Sequence, residues 1–281
     1  MNELWLKAFI KNAINEDIGD GDHTSLACIS ANQTGKAKLL VKEPGIIAGI
    51  KFAQFIFNQF DKNFIFIFKK NDGDFCQTGE IAFFVEGKSI LILRAERLVL
   101  NVMQRMSGIA TQTNRYVKEL YGLKTKILDT RKTTPGFRFF EKEAVKTGGG
   151  FNHRMGLYDM ILIKDNHIDF AGGINKAIER VNTYLLVNKK KLKVEIEARN
   201  ISDVKEIIKT GNVERIMLDN FSVENTKLAV DLINGKFETE SSGGITLKNI
   251  RKYAECGVDF ISVGALTHHV RSLDLSLKTV L

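Results

Sequence analysis

The fold is indicated most directly by residues 192–220, which read LKVEIEARNISDVKEIIKTGNVERIMLDN. Two short runs in this segment, LKVEIEA and RIMLDN, have the length and composition of buried strands. The residues between them have the spacing of an amphipathic helix, and Ser202 is the expected capping residue at its start. A strand, a helix and a second strand in this order indicate a parallel sheet whose strands are joined by helices.

The same alternation extends in both directions through the second half of the chain. Four further runs are strand-like, namely TKILDT, MILIKDN, FETESSGG and DFISVGAL. Ser222 and Thr246 are the expected start residues of two helices, and Gly257 is the expected end of the second. No GxGxxG motif follows a first strand, so the pattern favours a closed or nearly closed barrel over a doubly wound sheet.

The first half of the chain has a different order of predicted strands and helices. Up to about residue 88, β-type runs alternate with one helical stretch near 51–60, which predicts a small α+β domain. Residues 89–120 then have a long amphipathic pattern, which we expect to be interrupted at Ser107-Gly108 because glycine disfavours a helix interior. The N-terminal residues MNELWLKAFIKNAINEDIGDGDHTS predict a further amphipathic helix rather than a signal peptide.

Composition limits the class of protein. The chain has 281 residues and a formal charge of +8, but no block of like charges that is typical of a nucleic-acid-binding tail. Cys28, Cys76 and Cys256 are scattered, which argues against a disulfide framework and favours a reducing compartment. No apolar run approaches the roughly 20 residues of a membrane span. We therefore expect a cytoplasmic protein that binds anions rather than nucleic acid or a membrane.

The strand-like runs share one feature that points to an active site. Each is apolar at its start and charged, or rich in glycine and serine, at its C-terminal end, and in α/β barrels that rim carries the catalytic residues. In LDTRKTTPGFR (residues 128–138), for example, two adjacent cations follow a strand directly. The cations of the predicted rim are Arg131, Lys132, Arg138, His153, Arg154 and Lys164, and its acids are Glu195, Glu197 and Asp219.

Two glycine-containing loops follow the last two strands and predict a phosphate site. They are ESSGG (residues 240–244) and VGALT (residues 263–267). Glycines let backbone N–H groups approach an anion, and a helix beginning at Thr246 would add a favourable dipole. The rim has more cations than one monophosphate requires, so we predict a polyanion, such as a sugar phosphate with diphosphate, beside a carboxylated partner. Glu197 and Asp219 could hold Mg²⁺ or sugar hydroxyls, or pair with the lysines.

The rim motifs resemble those of the quinolinate phosphoribosyltransferase family, the carboxylating nicotinate-nucleotide pyrophosphorylases. The resemblance is carried by DTRKTTPGFR, EKEAVKTGGGFNHRMGLYDMILIKDNH, VEIEARN, IMLDNFS, ESSGGI and VDFISVGALTHH, and by the earlier EDIGDGDHTS and RAERLVLNVMQRMSGIAT. It covers nearly the whole chain in the family's order. Glu143, where tyrosine is common, and Asp22-His23 depart from the family pattern, but neither change removes a charge that the chemistry uses.

The resemblance implies a fold, a reaction and an assembly. The fold is α/β, with an N-terminal α/β sandwich domain and an incomplete parallel α/β barrel. The sandwich domain is expected at 1–108, joined by 266–281, and the barrel at 109–265. The reaction joins quinolinate to 5-phosphoribosyl-1-diphosphate with Mg²⁺ and yields nicotinate mononucleotide, CO₂ and diphosphate for NAD biosynthesis. The assembly is a homodimer in which Arg97 enters the partner's site.

The resemblance also assigns roles to individual residues. Lys132, Glu197 and Asp219 fall on the catalytic positions, and Glu197 and Asp219 on those of the metal. The quinolinate positions are Arg131, His153, Arg154, Lys164 and, in trans, Arg97. The phosphoribosyl diphosphate positions are Lys132, Lys164, Glu197, Asp219, Ser242, Gly243, Gly244, Gly264 and His268. Two alternatives stay open: a relative found beside molybdenum-transport genes that uses another acceptor, and a non-catalytic phosphate-binding barrel.

Overall fold

The computed structural model describes residues 3–280, which fall into two compact units. The first unit contains the chain up to Asn114, Thr134–Gly149 and the residues from Val270 onward, and the second contains Arg115–Thr133 and Gly150–His269. These units differ from the expected domains mainly at 134–149, which the sequence places in the barrel. The reason is aromatic packing within the first unit, because the Phe140 ring lies 5.1 Å from those of both Phe9 and Phe52.

The chain alternates strands and helices along most of its length. The helices are α1 (Glu3–Ile18), α2 (His23–Cys28), α3 (Ile50–Phe60), α4 (Ser89–Glu119), α5 (Arg138–Thr147), α6 (Asp165–Ala171), α7 (Ile174–Val187), α8 (Ile201–Thr210), α9 (Val223–Ile233), α10 (Ile250–Glu255) and α11 (Ala265–His268). The strands are β1 (Thr34–Val41), β2 (Gly45–Ile46), β3 (Ile65–Phe68), β4 (Phe75–Cys76), β5 (Ile81–Lys88), β6 (Lys126–Leu128), β7 (Ile161–Ile163), β8 (Val194–Ala198), β9 (Arg215–Asp219), β10 (Glu238–Ser242), β11 (Phe260–Ser262) and β12 (Leu275–Val280).

The first unit is built on an antiparallel sheet with the strand order β12-β1-β5-β3. Alternate residues of β1, namely Ala37, Leu39 and Val41, are buried, as expected for a strand with one face toward a core. The C-terminal strand returns to this sheet, since Val41 of β1 is paired with Leu275 of β12. The β-type runs predicted up to about residue 88 and the helix predicted near 51–60 are confirmed.

The expected interruption of the long helix at Ser107-Gly108 is wrong, because α4 runs unbroken from Ser89 to Glu119. Ser107 and Gly108 serve close packing instead. The buried Ser107 hydroxyl bonds the main chain of Ala48, accepting from its N–H at 2.9 Å. A Cβ on Gly108 would lie 2.2 Å from the carbonyl oxygen of Arg271. Within residues 3–280, neither this helix nor any other combines the length and apolarity needed to cross a membrane.

The second unit is built on six parallel strands in the order β6-β11-β10-β9-β8-β7. The strands follow one another around the sheet, and β6 pairs with β11, the last strand in the chain order of the sheet. Within the described part of the chain no pairing joins β6 to β7, so the barrel is open between them. The fold class is therefore the expected one, an antiparallel sheet domain with an incomplete parallel α/β barrel.

The helix starts in the barrel agree only partly with the sequence. Ser222 caps α9 as predicted, because its hydroxyl accepts from Asn225 N. Ser202 is not the cap of α8, since Asn200 accepts from Asp203 N at 3.0 Å and starts the helix earlier. Thr246 does not begin α10 either, because its N–H donates to Asn249 Oδ1 at 2.7 Å in a turn that precedes the helix.

The two departures from the family motifs have local structural roles. The Asp22 side chain accepts from Ser25 N at 3.0 Å and caps α2. A hydrogen bond with the Ser25 side chain, and after it this bond from the Ser25 backbone, lowers the pKa of Asp22. Glu143 lies on α5 and pairs with Lys146 at 2.6 Å, an exposed i, i+3 pair. Neither residue belongs to the unit that contains the barrel.

Candidate active site

A cavity of about 350 Å³ opens at the carboxyl ends of the parallel strands. Parallel strands bring these ends to one edge of the sheet, which is where barrels place their active sites. The residues that line it all belong to the second unit: Thr130, Arg131, Lys132, His153, Arg154, Leu162, Lys164, Glu197, Met217, Asp219, Ser242 and Ser262. Eight of these are predicted substrate or catalytic residues, and the structure brings them together.

Arg154 and Arg131 form a cationic wall of this cavity. Arg154 is buried, and its Nη1 donates to the carbonyl oxygen of Met160 at 3.1 Å. Burial, and after it the positive charge of Arg131, lowers the pKa of Arg154. Two guanidinium groups that repel each other in a half-enclosed space are stabilised by an anion bound between them. This wall is therefore suited to a carboxylate or a phosphate.

Two carboxylates face the cations. The buried Glu197 accepts from Lys164 Nζ at 2.8 Å and from Asp165 N at 3.2 Å. Asp219 accepts from Asn220 Nδ2 at 2.8 Å. Burial, and after it the negative charge of Glu197, raises the pKa of Asp219. Neighbouring carboxylates of this kind fit a hard divalent cation, which prefers oxygen ligands and keeps several water or substrate ligands.

The glycine loops after β10 and β11 are shaped by close approaches. Gly243 has φ +90°, and a Cβ there would lie 2.2 Å from Asn220 Oδ1, so only glycine fits. A Cβ on Gly264 would lie 2.8 Å from His268 Nε2 and 3.3 Å from Lys132 Cδ. Gly264 therefore allows Lys132 and His268 to approach each other.

The same region holds the main chain of Lys132 in place. Thr267 Oγ1 donates to the Lys132 carbonyl oxygen at 2.7 Å, which ties the loop after β6 to α11. Burial, and after it the charges of His269 and Lys132, lowers the pKa of His268. Gly244 has φ +63° and open space around it, which leaves its backbone accessible to a ligand.

Two predicted cations lie in the first unit. Arg97 is exposed on α4 and lines another cavity, of about 530 Å³, together with Glu16 and Asp17. Arg138 begins α5 and is not among the residues that line the barrel cavity. Of the predicted rim cations, Arg131, Lys132, His153, Arg154 and Lys164 line the barrel cavity.

A buried polar cluster lies among the strands below the cavity. It contains His153 and Glu195, which were predicted at the rim, and Arg215 and Glu240, which were not predicted. It consists of His153, Glu195, Arg215 and Glu240, whose side chains are between 0% and 11% exposed. Glu195, Arg215 and Glu240 each stand two positions before a cavity residue, namely Glu197, Met217 and Ser242. Since side chains alternate along a strand, these residues point to the same side one layer deeper. The sequence pattern that could have revealed this cluster is a charged residue at every second position of an otherwise apolar strand.

The two glutamates of this cluster hold protons more tightly than glutamate ordinarily does. Burial raises the pKa of Glu195 to about 7, against the opposing charge of Arg215. Burial, and after it the negative charge of Glu195, raises the pKa of Glu240 to about 8. Two carboxylates so close together share one proton near neutral pH, and the pair titrates as a unit.

The stability of the folded chain should depend on pH through Glu240. An unfolded glutamate has a pKa of about 4.3, whereas in the folded chain the pKa of Glu240 is raised to about 8. Between these values the folded state binds more protons than the unfolded state, so the free energy of unfolding falls as pH rises. One such group contributes a slope of up to about 1.4 kcal/mol per pH unit.

Glu240→Gln removes this titration, and we expect a flatter dependence of the unfolding free energy on pH from about 5 to 8. Urea unfolding at several pH values measures the slope. The exposed glutamate Glu255, paired with Arg251 on α10, provides the control Glu255→Gln. An unchanged slope in Glu240→Gln would contradict the assignment of the proton to this pair.

Known proteins are similar to this chain over both of its halves. The family model "Quinolinate phosphoribosyl transferase, N-terminal domain" matches residues 22–107, and the model of the C-terminal domain matches residues 109–278. The quinolinate phosphoribosyltransferase [decarboxylating] 1b of Nicotiana tabacum is 47% identical over 97% of this chain and 82% of its own length. The probable nicotinate-nucleotide pyrophosphorylase [carboxylating] of Bacillus subtilis is 41% identical over 100% of this chain and 96% of its own length.

A solved structure extends the similarity to three dimensions. The nicotinate-nucleotide pyrophosphorylase from Francisella tularensis superimposes with a TM-score of 0.92 and is 40% identical, covering 100% of this chain and 98% of that one. Sequence and fold therefore agree over the full length of the chain. Together with the family models, which cover both halves, these similarities show that the chain belongs to the quinolinate phosphoribosyl transferase family.

Proposed function

We propose that the chain transfers the phosphoribosyl group of 5-phosphoribosyl-1-diphosphate to quinolinate with decarboxylation. The products are nicotinate mononucleotide, CO₂ and diphosphate, and the reaction serves de novo NAD biosynthesis. The observation that carries the proposal is the cavity at the barrel rim, in which Arg131, Lys132, Arg154 and Lys164 face Glu197 and Asp219. Both substrates are polyanions, which is the charge that this set of side chains accommodates.

Quinolinate carries two carboxylates on adjacent ring carbons, and the arginine wall is suited to them. Arg131 and Arg154 present planar guanidinium groups that can each form two parallel hydrogen bonds with a carboxylate. A carboxylate bound here relieves their mutual repulsion, which contributes to the lowered pKa of Arg154. Lys164 is already paired with Glu197 at 2.8 Å, so it is not an isolated charge. It connects Glu197 to the place where the quinolinate carboxylates would bind.

The phosphoribosyl diphosphate is placed by the remaining groups of the rim. Ser242, Gly243, Gly244 and Gly264 offer hydroxyl and backbone donors for its 5′-phosphate, and His268 lies beside Gly264. Lys132, near the same loop, is placed to stabilise the departing diphosphate. The negative charges of Glu197 and Asp219 favour the positive charge that develops on the ribose ring as the diphosphate leaves.

The chemistry requires no general base. The lone pair of the pyridine nitrogen forms a bond to C1 of the ribose while the bond from C1 to diphosphate breaks, and diphosphate takes the electron pair. The ring nitrogen becomes cationic and withdraws electrons from the neighbouring carbon. The bond from that carbon to its carboxylate then breaks, CO₂ leaves, and the electron pair that remains on the ring is taken up by a proton from water. The protein contributes orientation and charge.

We propose Mg²⁺ as the cofactor, with Glu197 and Asp219 as the residues that would hold it, directly or through water. Burial, and after it the negative charge of Glu197, raises the pKa of Asp219, and the second of these causes supports the proposal because a cation would balance the two carboxylates. A bound Mg²⁺ supplies neutralisation of the charge on diphosphate. Lys164 remains paired with Glu197 and limits the freedom of that carboxylate.

The reaction is tested by the release of labelled CO₂ from carboxyl-labelled quinolinate in the presence of phosphoribosyl diphosphate and Mg²⁺. We expect CO₂ and diphosphate to appear in equal amounts, with none in the absence of phosphoribosyl diphosphate. Diphosphate release that requires a different acceptor would favour a relative of the same fold with another substrate. Binding of phosphoribosyl diphosphate without turnover of any acceptor would favour the non-catalytic barrel.

We further propose that the chain acts as a homodimer and that Arg97 completes the site of the partner subunit. Arg97 is exposed on α4, and it belongs to the first unit rather than to the barrel. The neighbouring Glu96 is half-buried, and burial raises its pKa against the opposing charge of Arg97. Because the Arg97 side chain is exposed, it can reach an anion on another molecule. Two-fold symmetry would give each dimer two such sites.

Mixing two inactive variants tests the shared site. In a heterodimer of Arg97→Ala and Lys132→Ala subunits, one site lacks both groups and the other lacks neither. After full subunit exchange we expect recovery of about a quarter of the wild-type activity, since about half of the dimers are mixed and each has one intact site. Lys132→Ala mixed with Asp219→Ala is the control, because both residues line one chain's cavity and no intact site forms. Absence of recovery after verified exchange would exclude action in trans.

We propose the cytoplasm as the compartment in which the chain works. Its cysteines are free, and burial raises the pKa of Cys76 and Cys256, which keeps these thiols protonated. Free thiols are typical of proteins in reducing compartments. Fractionation of cells followed by detection with an antibody would check this, and recovery in an oxidising compartment would contradict it.

A further inference from the structure

The buried cluster below the cavity includes His153, a residue that also lines the cavity. His153 Nε2 lies 2.9 Å from Glu195 Oε2 and 3.6 Å from Glu240 Oε2. On the other side of the ring, Nδ1 accepts the backbone N–H of Arg154 at 2.8 Å. An acceptor nitrogen carries no proton, so the neutral ring has its proton on Nε2, which faces the carboxylates. The imidazole thus bridges the buried glutamates and the main chain of Arg154.

The carboxylates are themselves held by Arg215. Its Nη1 lies 2.8 Å from Glu240 Oε2 and 4.0 Å from Glu195 Oε2. Its Nε and Nη2 donate to Glu238 at 3.2 and 3.0 Å, and its guanidinium lies 3.9 Å over the ring of Phe260. Contacts with Glu240, Glu238 and the Phe260 ring restrict the movement of the Arg215 side chain. Its position therefore determines those of the carboxylates that it holds.

A metal site is the competing interpretation of the same residues. Ligand atoms of His153, Glu195 and Glu240 lie within 4.8 Å of one another. However, the Arg215 guanidinium already supplies a positive charge at 2.8 Å from Glu240, and with Nδ1 of His153 accepting from Arg154 N, the ring has its proton on Nε2. A cation would have to displace both. The arrangement therefore favours a support built from closely spaced charged and polar groups over a metal centre.

We infer that Glu195, Glu240 and Arg215 are positioning residues that act through His153 to orient Arg154 for the carboxylates of the acid substrate. His153 N donates to the buried Asp129 Oδ1 at 2.9 Å, so the main chain of residues 153 and 154 is held at two points. The Arg154 side chain adds a third, through its bond to the Met160 carbonyl oxygen. The inference rests on the proposed function, since it assigns these residues to quinolinate binding.

The experiment compares two replacements of Glu195. Glu195→Met removes the oxygen atoms at similar length, whereas Glu195→Gln keeps an oxygen beside Nε2 of His153. We expect Glu195→Met to raise KM and Kd for quinolinate by about 10-fold and to leave KM for phosphoribosyl diphosphate unchanged, because outer residues that orient a ligand typically have effects of this size. Glu195→Gln should restore most of the loss.

A structural role alone predicts a different result, because a general distortion of the rim would raise both KM values together, and a smaller folded fraction would lower kcat with both KM values unchanged. An equal change in both, or no change in either, would overturn the inference. ¹⁵N NMR of the His153 ring, assigned with His153→Gln, gives a test that does not need a folded Glu195 variant. The wild-type ring should carry its proton on Nε2 and none on Nδ1, and a proton on Nδ1 would overturn the inference. If the wild type neither binds nor converts quinolinate, the proposed function fails instead.

Discussion

Replacing Lys132 with alanine is expected to lower kcat by about 10²–10³ without unfolding the protein, because a charge that contacts the leaving group mainly in the transition state has an effect of this size. Lys132 is exposed at the rim, so its side chain contributes little to the core. Its backbone position is determined by the bond from Thr267 Oγ1 to its carbonyl oxygen, which alanine preserves. The variant should therefore keep the loop and lose only the charge.

The measurement is kcat at saturating concentrations of both substrates, with thermal unfolding as the check on folding. Lys124→Ala removes another exposed lysine of the same unit and should retain wild-type kcat. A folded Lys132→Ala enzyme with near-normal kcat would assign Lys132 to surface structure. A large rise in KM for phosphoribosyl diphosphate at constant kcat would instead assign Lys132 to ground-state binding.

The wild-type enzyme is expected to prefer quinolinate to nicotinate by about 30-fold to 3,000-fold in kcat/KM. The two acids differ by the carboxylate next to the ring nitrogen. Nicotinate would leave one cation of the arginine wall without a partner, which costs roughly 2–5 kcal/mol. Arg131, Arg154 and Lys164 all line the cavity, and Lys164 is already paired with Glu197.

Arg154→Ala should reduce kcat/KM for quinolinate much more than any residual kcat/KM for nicotinate, so the preference should narrow. Arg154 is buried and bonded to the Met160 carbonyl oxygen, so Arg154→Gln serves as a second variant that keeps a hydrogen-bond donor without the charge. Both acids are compared at saturating phosphoribosyl diphosphate and Mg²⁺. Similar wild-type values for the two acids would refute selection by charge and indicate a salvage-type enzyme.

The periodic parts of the fold were predictable from the sequence because hydrophobic spacing reports local geometry directly. Residues 192–220 have the pattern of a strand, a helix and a strand, and the structure contains β8, α8 and β9 there. The polar residues at the strand ends were predictable as one site for the same reason, since parallel strands bring their carboxyl ends to one edge. Arg131, Lys132, Arg154, Lys164, Glu197 and Asp219 indeed line a single cavity.

The errors occur where a local pattern has more than one structural meaning. Ser107-Gly108 has the composition of a helix break, but in the folded chain it lies inside α4, where the small residues allow Ala48 and Arg271 to approach. Thr246 has the composition of a helix cap, but Asn249 accepts its N–H and the helix begins later. In both cases a contact distant in sequence, or a competing side-chain bond, determined the outcome.

The sequence by itself determined the strand and helix alternation, the incomplete barrel, the family and the charge of the site, because each is carried by residue type and spacing along the chain. Only the tertiary structure decided which charges meet. It paired Lys164 with Glu197 and left Arg97 and Arg138 outside the barrel cavity. It also placed Glu195, Arg215 and Glu240, which come from three strands, in one cluster under His153. Such a cluster depends on the register between neighbouring strands, and one chain's sequence does not specify distances across a sheet.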